Sequence, residues 1–435
     1  MKDAKNTRIF AVTGNPIMHS RSPEMHNAAF AALGIDAVYT RLTAENADEA
    51  LQLMNEIGID GINVTTPFKE EILRIVEPDE TAKRIGAVNT VMRLGGRFKG
   101  SNTDVDGVKG ALIGHNIAGK RVIVLGAGGA AKAAIAALLS LGAEVMVLNR
   151  TEEKANAIAK KFRCESGKLD EKEAFDNAAL IVSTLSTVER VIQREFLKDK
   201  IVLDAVYGHE TALSLDAKKA GCRVISGKKW LLYSGAKSFE IFSGKKAPIE
   251  AMQKALETGH EKTGHEKTNI AIIGMMGSGK GAVSDELEKL TQMQKIDIDS
   301  EIEKKRKMKI NSIFEDLGEP AFRKMEHEEI KNLQNTKNKI ISCGGGVVLD
   351  KENIDMLRKN STIVWLWAAP AELAARLKNY RDRPLLKDKD ADKEKELKKI
   401  LEKRLGLYAA CDFVINTGKR TPKEVAKIIF MEMRI

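Results

Sequence analysis

Residues 121–131 read Arg-Val-Ile-Val-Leu-Gly-Ala-Gly-Gly-Ala-Ala, and an alanine-rich stretch then runs to Leu141 and into Glu144-Val-Met-Val-Leu148. Two short β-rich runs flank one helical pattern, which makes a β-α-β unit with a glycine loop at its first turn. Glycines there permit a tight turn and close backbone approach to a pyrophosphate seated on the helix N-terminus. The expected contacts are Gly126, Ala127, Gly128, Gly129 and Ala130. Such a loop alone is a weak signal, but its context adds to it. The next strand ends at Asn149-Arg150-Thr151, with Lys154 one turn later. An acidic residue at that position selects the free ribose hydroxyl of NAD; Arg150 and Lys154 instead suit the 2′-phosphate of NADP. The bland reading of Arg150 is a solvated residue at a helix start. Charge type and position together favour the cofactor.

A second glycine loop lies downstream. Asn269-Ile-Ala-Ile-Ile273 leads into Gly274-Met-Met-Gly-Ser-Gly-Lys280 and a helical pattern. In a phosphate-cradling loop of this kind the backbone of Met276, Gly277, Ser278 and Gly279 holds phosphates while Lys280 reaches the β and γ positions. The pattern next calls for Ser or Thr as a Mg²⁺ ligand, and Gly281 stands there. Between the two loops, residues 258–268 repeat the polar unit Thr-Gly-His-Glu-Lys, which has no apolar face to bury and reads as a flexible linker. His260 and His265 lack companion ligands and are read as spacer. Upstream, residues 8–103 alternate β-rich runs (Ile9–Thr13, Ala37–Leu42, Gly61–Val64, Ala87–Met92) with helical patterns.

The expected class is therefore α/β. It comprises an N-terminal α/β substrate domain (1–103), a Rossmann-like dinucleotide domain (104–257, with helices near 236–257 able to pack back on the first domain), the linker (258–268), and a P-loop kinase domain with a parallel sheet (269–435). The linker implies independent tethered domains. At roughly 100–200 residues per domain, 435 residues accommodate that count. With 43% hydrophobic and 30% charged residues, the composition is that of a soluble globular protein. No run approaches the length of a membrane span, and the start lacks an apolar signal core, so a cytoplasmic location is expected. Four scattered cysteines form no CxxC pair and support neither zinc nor disulfides. The net charge of +10 divides as +4 in residues 1–268 and +6 in 269–435. A nucleic-acid binder concentrates its excess in a stripe; phosphorylated cofactors and acidic small molecules account for this spread as well. No nucleic-acid or membrane partner is expected, and the chain is expected as a monomer or homodimer.

Several longer motifs carry a resemblance. Gly14-Asn-Pro-Ile-Met-His-Ser-Arg-Ser-Pro-Glu-Met-His-Asn27, Asn63-Val-Thr-Thr-Pro-Phe-Lys-Glu70, Gly86-Ala-Val-Asn-Thr90 and Asn102-Thr-Asp104 resemble the shikimate dehydrogenases over residues 8–256. That resemblance implies a substrate carboxylate held by Ser20 and Ser22, ring hydroxyls held by Thr65, Asn89 and Asp104, and a proton shuttled by Lys69 beside Asp104. It also places Tyr207, Gly227 and Ser234 at the site. Ser234 stands where glutamine is usual and is shorter. Gly208-His-Glu210 replaces a usual Asn-Pro, and Ser183-Thr-Leu-Ser186 lacks the usual glycine-methionine loop.

Residues 269–435 resemble shikimate kinase. The carriers are Asp297-Ile-Asp299, Ile313-Phe-Glu315, Gly318-Glu-Pro-Ala-Phe-Arg323, Ser342-Cys-Gly-Gly-Gly346, Arg381-Asp-Arg-Pro-Leu-Leu386 and Arg404-Leu-Gly-Leu-Tyr408. The resemblance implies Asp299 as base near the attacking hydroxyl, Arg323 and Arg404 on the substrate carboxylate, and Gly345 among three glycines approaching the ring. Arg383 stabilises the transferring phosphate as a lid closes, Asp297 organises Mg²⁺ through water, and Arg420 stacks on adenine. The charged run Lys387–Lys399 is a solvated lid and helix face.

Together these imply a bifunctional enzyme using NADP(H), ATP and Mg²⁺, acting on 3-dehydroshikimate and then shikimate. Two alternatives stand beside it. One is a quinate/shikimate-type dehydrogenase, able to use NAD, with a weakened kinase; the other is a ligand-sensing regulator built from decayed domains. Lys69, Asp104, Lys280, Asp299 and Arg323 are all present and weigh against the last.

Overall fold

A computed structural model describes residues 6–171, 173–185, 189–258, 267–378 and 392–433. The linker residues 259–266, with His260 and His265, lie outside the described residues, as do Ser186, Arg383 with the whole 381–386 motif, and the first part of the 387–399 run. No helix among the described residues is long and apolar enough to cross a membrane.

The strands are, in chain order, β1 (Arg8–Gly14), β2 (Ala37–Thr43), β3 (Gly61–Val64), β4 (Glu77–Pro78), β5 (Thr90–Leu94), β6 (Arg97–Ser101), β7 (Arg121–Leu125), β8 (Glu144–Leu148), β9 (Glu165–Gly167), β10 (Ala178–Ser183), β11 (Ile201–Asp204), β12 (Arg223–Ser226), β13 (Asn269–Ile273), β14 (Gln294–Asp297), β15 (Lys339–Ser342), β16 (Ser361–Trp367) and β17 (Phe413–Asn416).

The compact units do not follow the boundaries expected from sequence. One unit joins residues 1–23 and 34–60 to 258–435; the other comprises 24–33 and 61–257. The physical reason lies in an edge-to-edge pairing. In the first unit the strands run in the order β14-β15-β13-β16-β17-β2-β1, and every pair is parallel. β17 and β2 would each leave a row of unpaired N–H and C=O groups if unpartnered. They meet with Val414 opposite Leu42. Thr43 Oγ1 donates to Val414 O at 2.9 Å and Thr40 Oγ1 to Cys411 O at 3.1 Å. The expectation of a tethered, independent kinase domain does not describe this unit. Its β13, covered on both faces, is wholly buried and reads as a nearly continuous apolar run, as central parallel strands do.

In the second unit, β5 pairs antiparallel with β3 and β6, and β4 pairs parallel with β6. A separate parallel sheet runs β12-β11-β10-β7-β8-β9. Its order reverses between β7 and β10, so the crevice at their carboxyl ends is where a doubly wound sheet takes its ligand. The glycine loop leaves β7 at that point, before the helix Gly129–Ser140.

Candidate functional site

In the second unit the central feature is an ion pair. Lys69 Nζ lies 2.6 Å from Asp104 Oδ2, with the two side chains 18% and 10% exposed. Asp104 opens the helix Asp104–Ala111, where the positive end of the helix favours a carboxylate. Its amide donates to Asn102 Oδ1 at 3.1 Å, which fixes the turn. Lys69 is held by its own backbone, its carbonyl accepting from Val88 N at 2.8 Å. A partly buried lysine beside a carboxylate, open on one side, can hand a proton to an oxygen and recover it.

Around this pair sits a polar cluster. Ser234 Oγ lies 3.4 Å from Asp104 Oδ1, 3.0 Å from Thr103 Oγ1 and 3.4 Å from Asn89 Nδ2. Asn89 Oδ1 accepts from Thr103 N at 2.8 Å and from Thr90 Oγ1 at 3.0 Å. Its carbonyl is thus committed to the fold, and its amide is the end directed at Ser234. Thr65 is half-buried and accepts through its carbonyl from Phe68 N. Tyr207 is half-buried in the turn after β11.

Ser234 reaches this cluster because two helices pack closely. A Cβ on Gly107 would stand 2.5 Å from Trp230, and one on Gly110 would stand 2.1 Å from Tyr233. Larger residues at either position would push the helix Gly227–Ser243 away and carry Ser234 with it. Gly227 begins that helix against the carbonyls of Asp204 and Ala205, where a Cβ would meet oxygen at 2.5 Å. It acts by close approach and leaves the turn after β11 in place.

The glycine loop lies next to the lysine. A Cβ on Gly129 would fall 3.9 Å from Lys69 Cδ, while the space beside Gly128 is open. Gly126 has φ +111°, which a side chain rarely tolerates. Lys132, on the same helix as Gly129, pairs with Glu70 at 2.7 Å and ties the cofactor helix to the segment bearing Lys69. At the end of β8, Asn149 Nδ2 donates to Thr151 O at 2.9 Å, and Arg150, Thr151 and Lys154 are exposed. Two exposed cations beside an open helix N-terminus fit a phosphorylated dinucleotide. Thr184, in the loop that departs from the family pattern, donates to Leu125 O at 2.8 Å and closes the crevice floor.

The first unit carries Ser20 and Ser22, both buried, with Oγ atoms 3.3 Å apart. The same unit holds the second glycine loop. Gly277 and Gly279 have φ of +81° and +91°, conformations that turn successive amides toward a common point. Lys280 Nζ donates to Gly274 O and Met275 O at 2.9 and 3.0 Å. Ser278 Oγ is buried without a partner, so it has hydrogen-bonding capacity to offer. Gly281 faces open space, and a Cβ placed on it would meet nothing within 4 Å. Asp297 caps the helix Ile298–Arg306, accepting from Ser300 N at 3.0 Å.

A cleft of about 520 Å³ opens beside this loop, lined by Asp299, Phe322, Arg323, Gly345 and Arg404 among others. Arg323 pairs with Glu319 at 2.9 Å and with Glu326 at 2.8 Å. A Cβ on Gly346 would lie 2.1 Å from Arg323 Nη2, and one on Gly344 would lie 2.7 Å from Glu326 and 3.0 Å from Asp299. The three glycines therefore make room for the charged groups of the cleft as well as for a ligand. Burial pushes the Glu326 carboxyl above its ordinary value against the opposing pull of Arg323. Gly345 O accepts from Arg404 Nη1 at 3.2 Å and from Tyr408 at 2.5 Å, and burial moves the Tyr408 hydroxyl up to about 12.

Glu326 and Tyr408 are not among the residues expected from sequence. A glutamate three residues after Arg323 on one helix is the available signal for the first. Arg420 differs from expectation. Its guanidinium is enclosed by Glu49 at 2.6 Å and Glu45 at 3.0 Å, at the N-terminal end of the helix Ala47–Ile57. Those carboxylates take its N–H donors and fix the guanidinium plane beside that helix, a partnership that the resemblance does not imply. Arg376 instead braces the loop, donating to Gly277 O at 3.3 Å.

A dinucleotide-type dehydrogenase followed by a P-loop kinase is the class these two sites define. Family models match as "Shikimate dehydrogenase substrate binding domain" over residues 12–91, "Shikimate / quinate 5-dehydrogenase" over 110–204 and "Shikimate kinase" over 276–434. Shikimate dehydrogenase (NADP(+)) of Natronomonas pharaonis is 42% identical over 261 residues, 58% of this chain and 98% of that protein. A crystal structure of a shikimate dehydrogenase in complex with NADP+ superposes with TM-score 0.56 at 34% identity, covering 60% of this chain and 98% of that one. The Thermus thermophilus enzyme in complex with shikimate does so with TM-score 0.54 at 34% identity, covering 58% and 98%. The chain belongs to the shikimate dehydrogenase family, and its C-terminal part is a shikimate kinase domain. It is a bifunctional enzyme of the shikimate pathway.

Proposed function

We propose that the first part reduces 3-dehydroshikimate to shikimate with NADPH and that the last part phosphorylates the 3-hydroxyl of that product with ATP. The observation that carries this is the Lys69–Asp104 pair at 2.6 Å, placed against the start of the helix that follows the glycine loop. The Natronomonas pharaonis relative is an NADP(+) enzyme and the first structure named above is a complex with NADP+, which supports NADP over NAD together with Arg150 and Lys154. The quinate-type alternative is not favoured.

Bound NADPH supplies the hydride. Lys69 gives a proton to the carbonyl oxygen as it becomes a hydroxyl, Asp104 holds the lysine aimed at that oxygen, and solvent then returns a proton to the amine. Asn89 and Thr65 hold ring hydroxyls; Ser20 and Ser22 give hydroxyl donors to the ring carboxylate. Ser234 is already bonded to Thr103 and lies near Asp104. It acts through the Asp104 carboxylate and leaves the substrate with fewer direct contacts than a longer side chain would.

In the kinase cleft, bound MgATP supplies the phosphoryl group. The residues present fit its phosphates: amides of Gly277 to Gly279, the unpartnered Ser278 hydroxyl and Lys280. Asp299 takes the proton of the attacking hydroxyl. Arg323 and Arg404 bind the carboxylate. Arg383 neutralises the group in transfer. For Mg²⁺ the fit is partial. Asp297 can hold the ion through water, while Gly281 offers no side-chain oxygen, so the kinase needs high Mg²⁺ and turns over slowly. Gly281 leads into a helix and faces open space, so Gly281→Ser adds a hydroxyl without strain. It raises kinase kcat at limiting Mg²⁺ by about tenfold, the equivalent of one charge-assisted contact of about 1.4 kcal/mol. No change in Mg²⁺ dependence would sink the assignment of that position.

A location in the cytoplasm fits the needs of all three cofactors. A coupled assay decides the whole reading: with 3-dehydroshikimate, NADPH and MgATP, the purified chain forms shikimate 3-phosphate. Appearance of shikimate alone would remove the kinase half of the proposal.

A further inference from the structure

Within the first unit, the loop bearing Ser20 and Ser22 is held by residues of the kinase sequence. Glu432 lies on the last helix, Pro422–Met433, and is 7% exposed. Its carboxylate accepts from Ile17 N and Met18 N, each at 2.9 Å. Met18 packs against the cluster that contains Ile270, Phe413 and Ile429, beside Ile428 and Met433. Further along, Ser20 O accepts from Arg41 Nε and Nη2 at 3.1 and 2.6 Å, and Arg41 Nη1 donates to Asp412 O at 3.2 Å. The loop is thus pinned at both ends, at Ile17–Met18 by a carboxylate and at Ser20 by an arginine that also grips the kinase sequence.

These bonds are of a demanding kind. A carboxylate accepting two amides makes charge-assisted hydrogen bonds, and burial means that no water replaces it if it is lost. The turn they fix is the one whose own bond, Ser20 N to Ile17 O at 3.0 Å, sets the direction of the Ser20 side chain. The stand-alone dehydrogenase relatives are matched over nearly their whole length by the first part of this chain, so they have no kinase sequence to supply this carboxylate.

We propose that the kinase domain has a second role, as a structural part of the dehydrogenase: Glu432 is a positioning residue that sets the Ser20–Ser22 loop for the substrate carboxylate. The inference rests on reading Ser20 and Ser22 as the carboxylate donors.

The test uses the full chain and steady-state kinetics of both reactions in Glu432→Ala, Glu432→Asp and Ser22→Ala. Glu432→Ala raises the dehydrogenase KM for 3-dehydroshikimate about tenfold, the scale of a lost charge-assisted contact. Its dehydrogenase kcat, its KM for NADPH and the kinase KM values stay unchanged. Glu432→Asp keeps the charge but withdraws it by one methylene, and gives a smaller rise in the same constant. A fall in kcat of both reactions together would show a merely structural role and overturn the proposal. So would an unchanged 3-dehydroshikimate KM in Glu432→Ala, or in Glu432→Asp if the alanine variant fails to fold, alongside a raised KM in Ser22→Ala. An unchanged KM in Ser22→Ala would remove the carboxylate reading on which the proposal stands, and the proposal with it.

Discussion

Lys69→Met lowers the kcat of the dehydrogenase reaction by between about 10² and 10⁴-fold and leaves the kinase reaction untouched. The substitution keeps the length of the aliphatic stem, which passes within reach of Gly129, and removes only the ammonium. Without it the oxygen that receives negative charge has no donor, and Asp104, a carboxylate, cannot provide a proton in its place. Asp104 then stands buried without the cation 2.6 Å away, so some stability is lost as well. The two effects separate by measurement. Substrate and cofactor still bind, so KM changes little while kcat collapses. A variant that retained more than about a tenth of the wild-type kcat would show that Lys69 is not the proton donor.

The second large effect is in the other reaction. Asp299→Asn lowers kinase kcat by about 10²-fold or more, because the amide cannot accept the proton of the attacking hydroxyl. The shape is conserved, and a Cβ on Gly344 would still find the side chain about where it is now, 3.0 Å away. Glu326 also lies beside Gly344 but cannot substitute: its burial and its bond to Arg323 commit it. The expected readout is a loss in kinase kcat with the dehydrogenase rate constant unchanged. Retention of kinase activity within about threefold of wild type would reassign the base.

Both sites owe their legibility to locality. A glycine loop between a strand and a helix must be written in consecutive residues, because the turn and the amides that line it come from one stretch of backbone. So Gly126–Gly129 and Gly274–Lys280 stand out, as do Lys69 and Asp104 inside motifs that resemble a family. What cannot be read is what depends on distant partners. Gly107 and Gly110 look like poor choices inside a helix, costing about 1 kcal/mol each against alanine; only Trp230 and Tyr233 explain them. Isolated glycines in a helical pattern do ask for a packing reason, but the sequence does not say which helix provides it. Resemblance to a family assigns Arg420 to adenine, while the carboxylates that hold its guanidinium lie some 370 residues earlier. The domain boundaries differ for the same cause. A repeated polar linker marks where the chain is loose, whereas two strand edges that meet across the sequence leave no local mark.

That meeting of β2 and β17 has a consequence for how the chain is made. Leu42 and Val414 are brought together only when nearly all of the protein exists, and Thr43 bonds to a residue 371 positions later. At ~5–20 residues per second, the ribosome takes roughly 20–75 seconds to deliver β17 after β2 has emerged. Through that interval the nascent protein displays an open parallel edge, a template for unwanted pairing. The kinase strand that finally covers it ends the exposure. Severing the gene at the linker would make that transient edge permanent on one product and create its complement on the other.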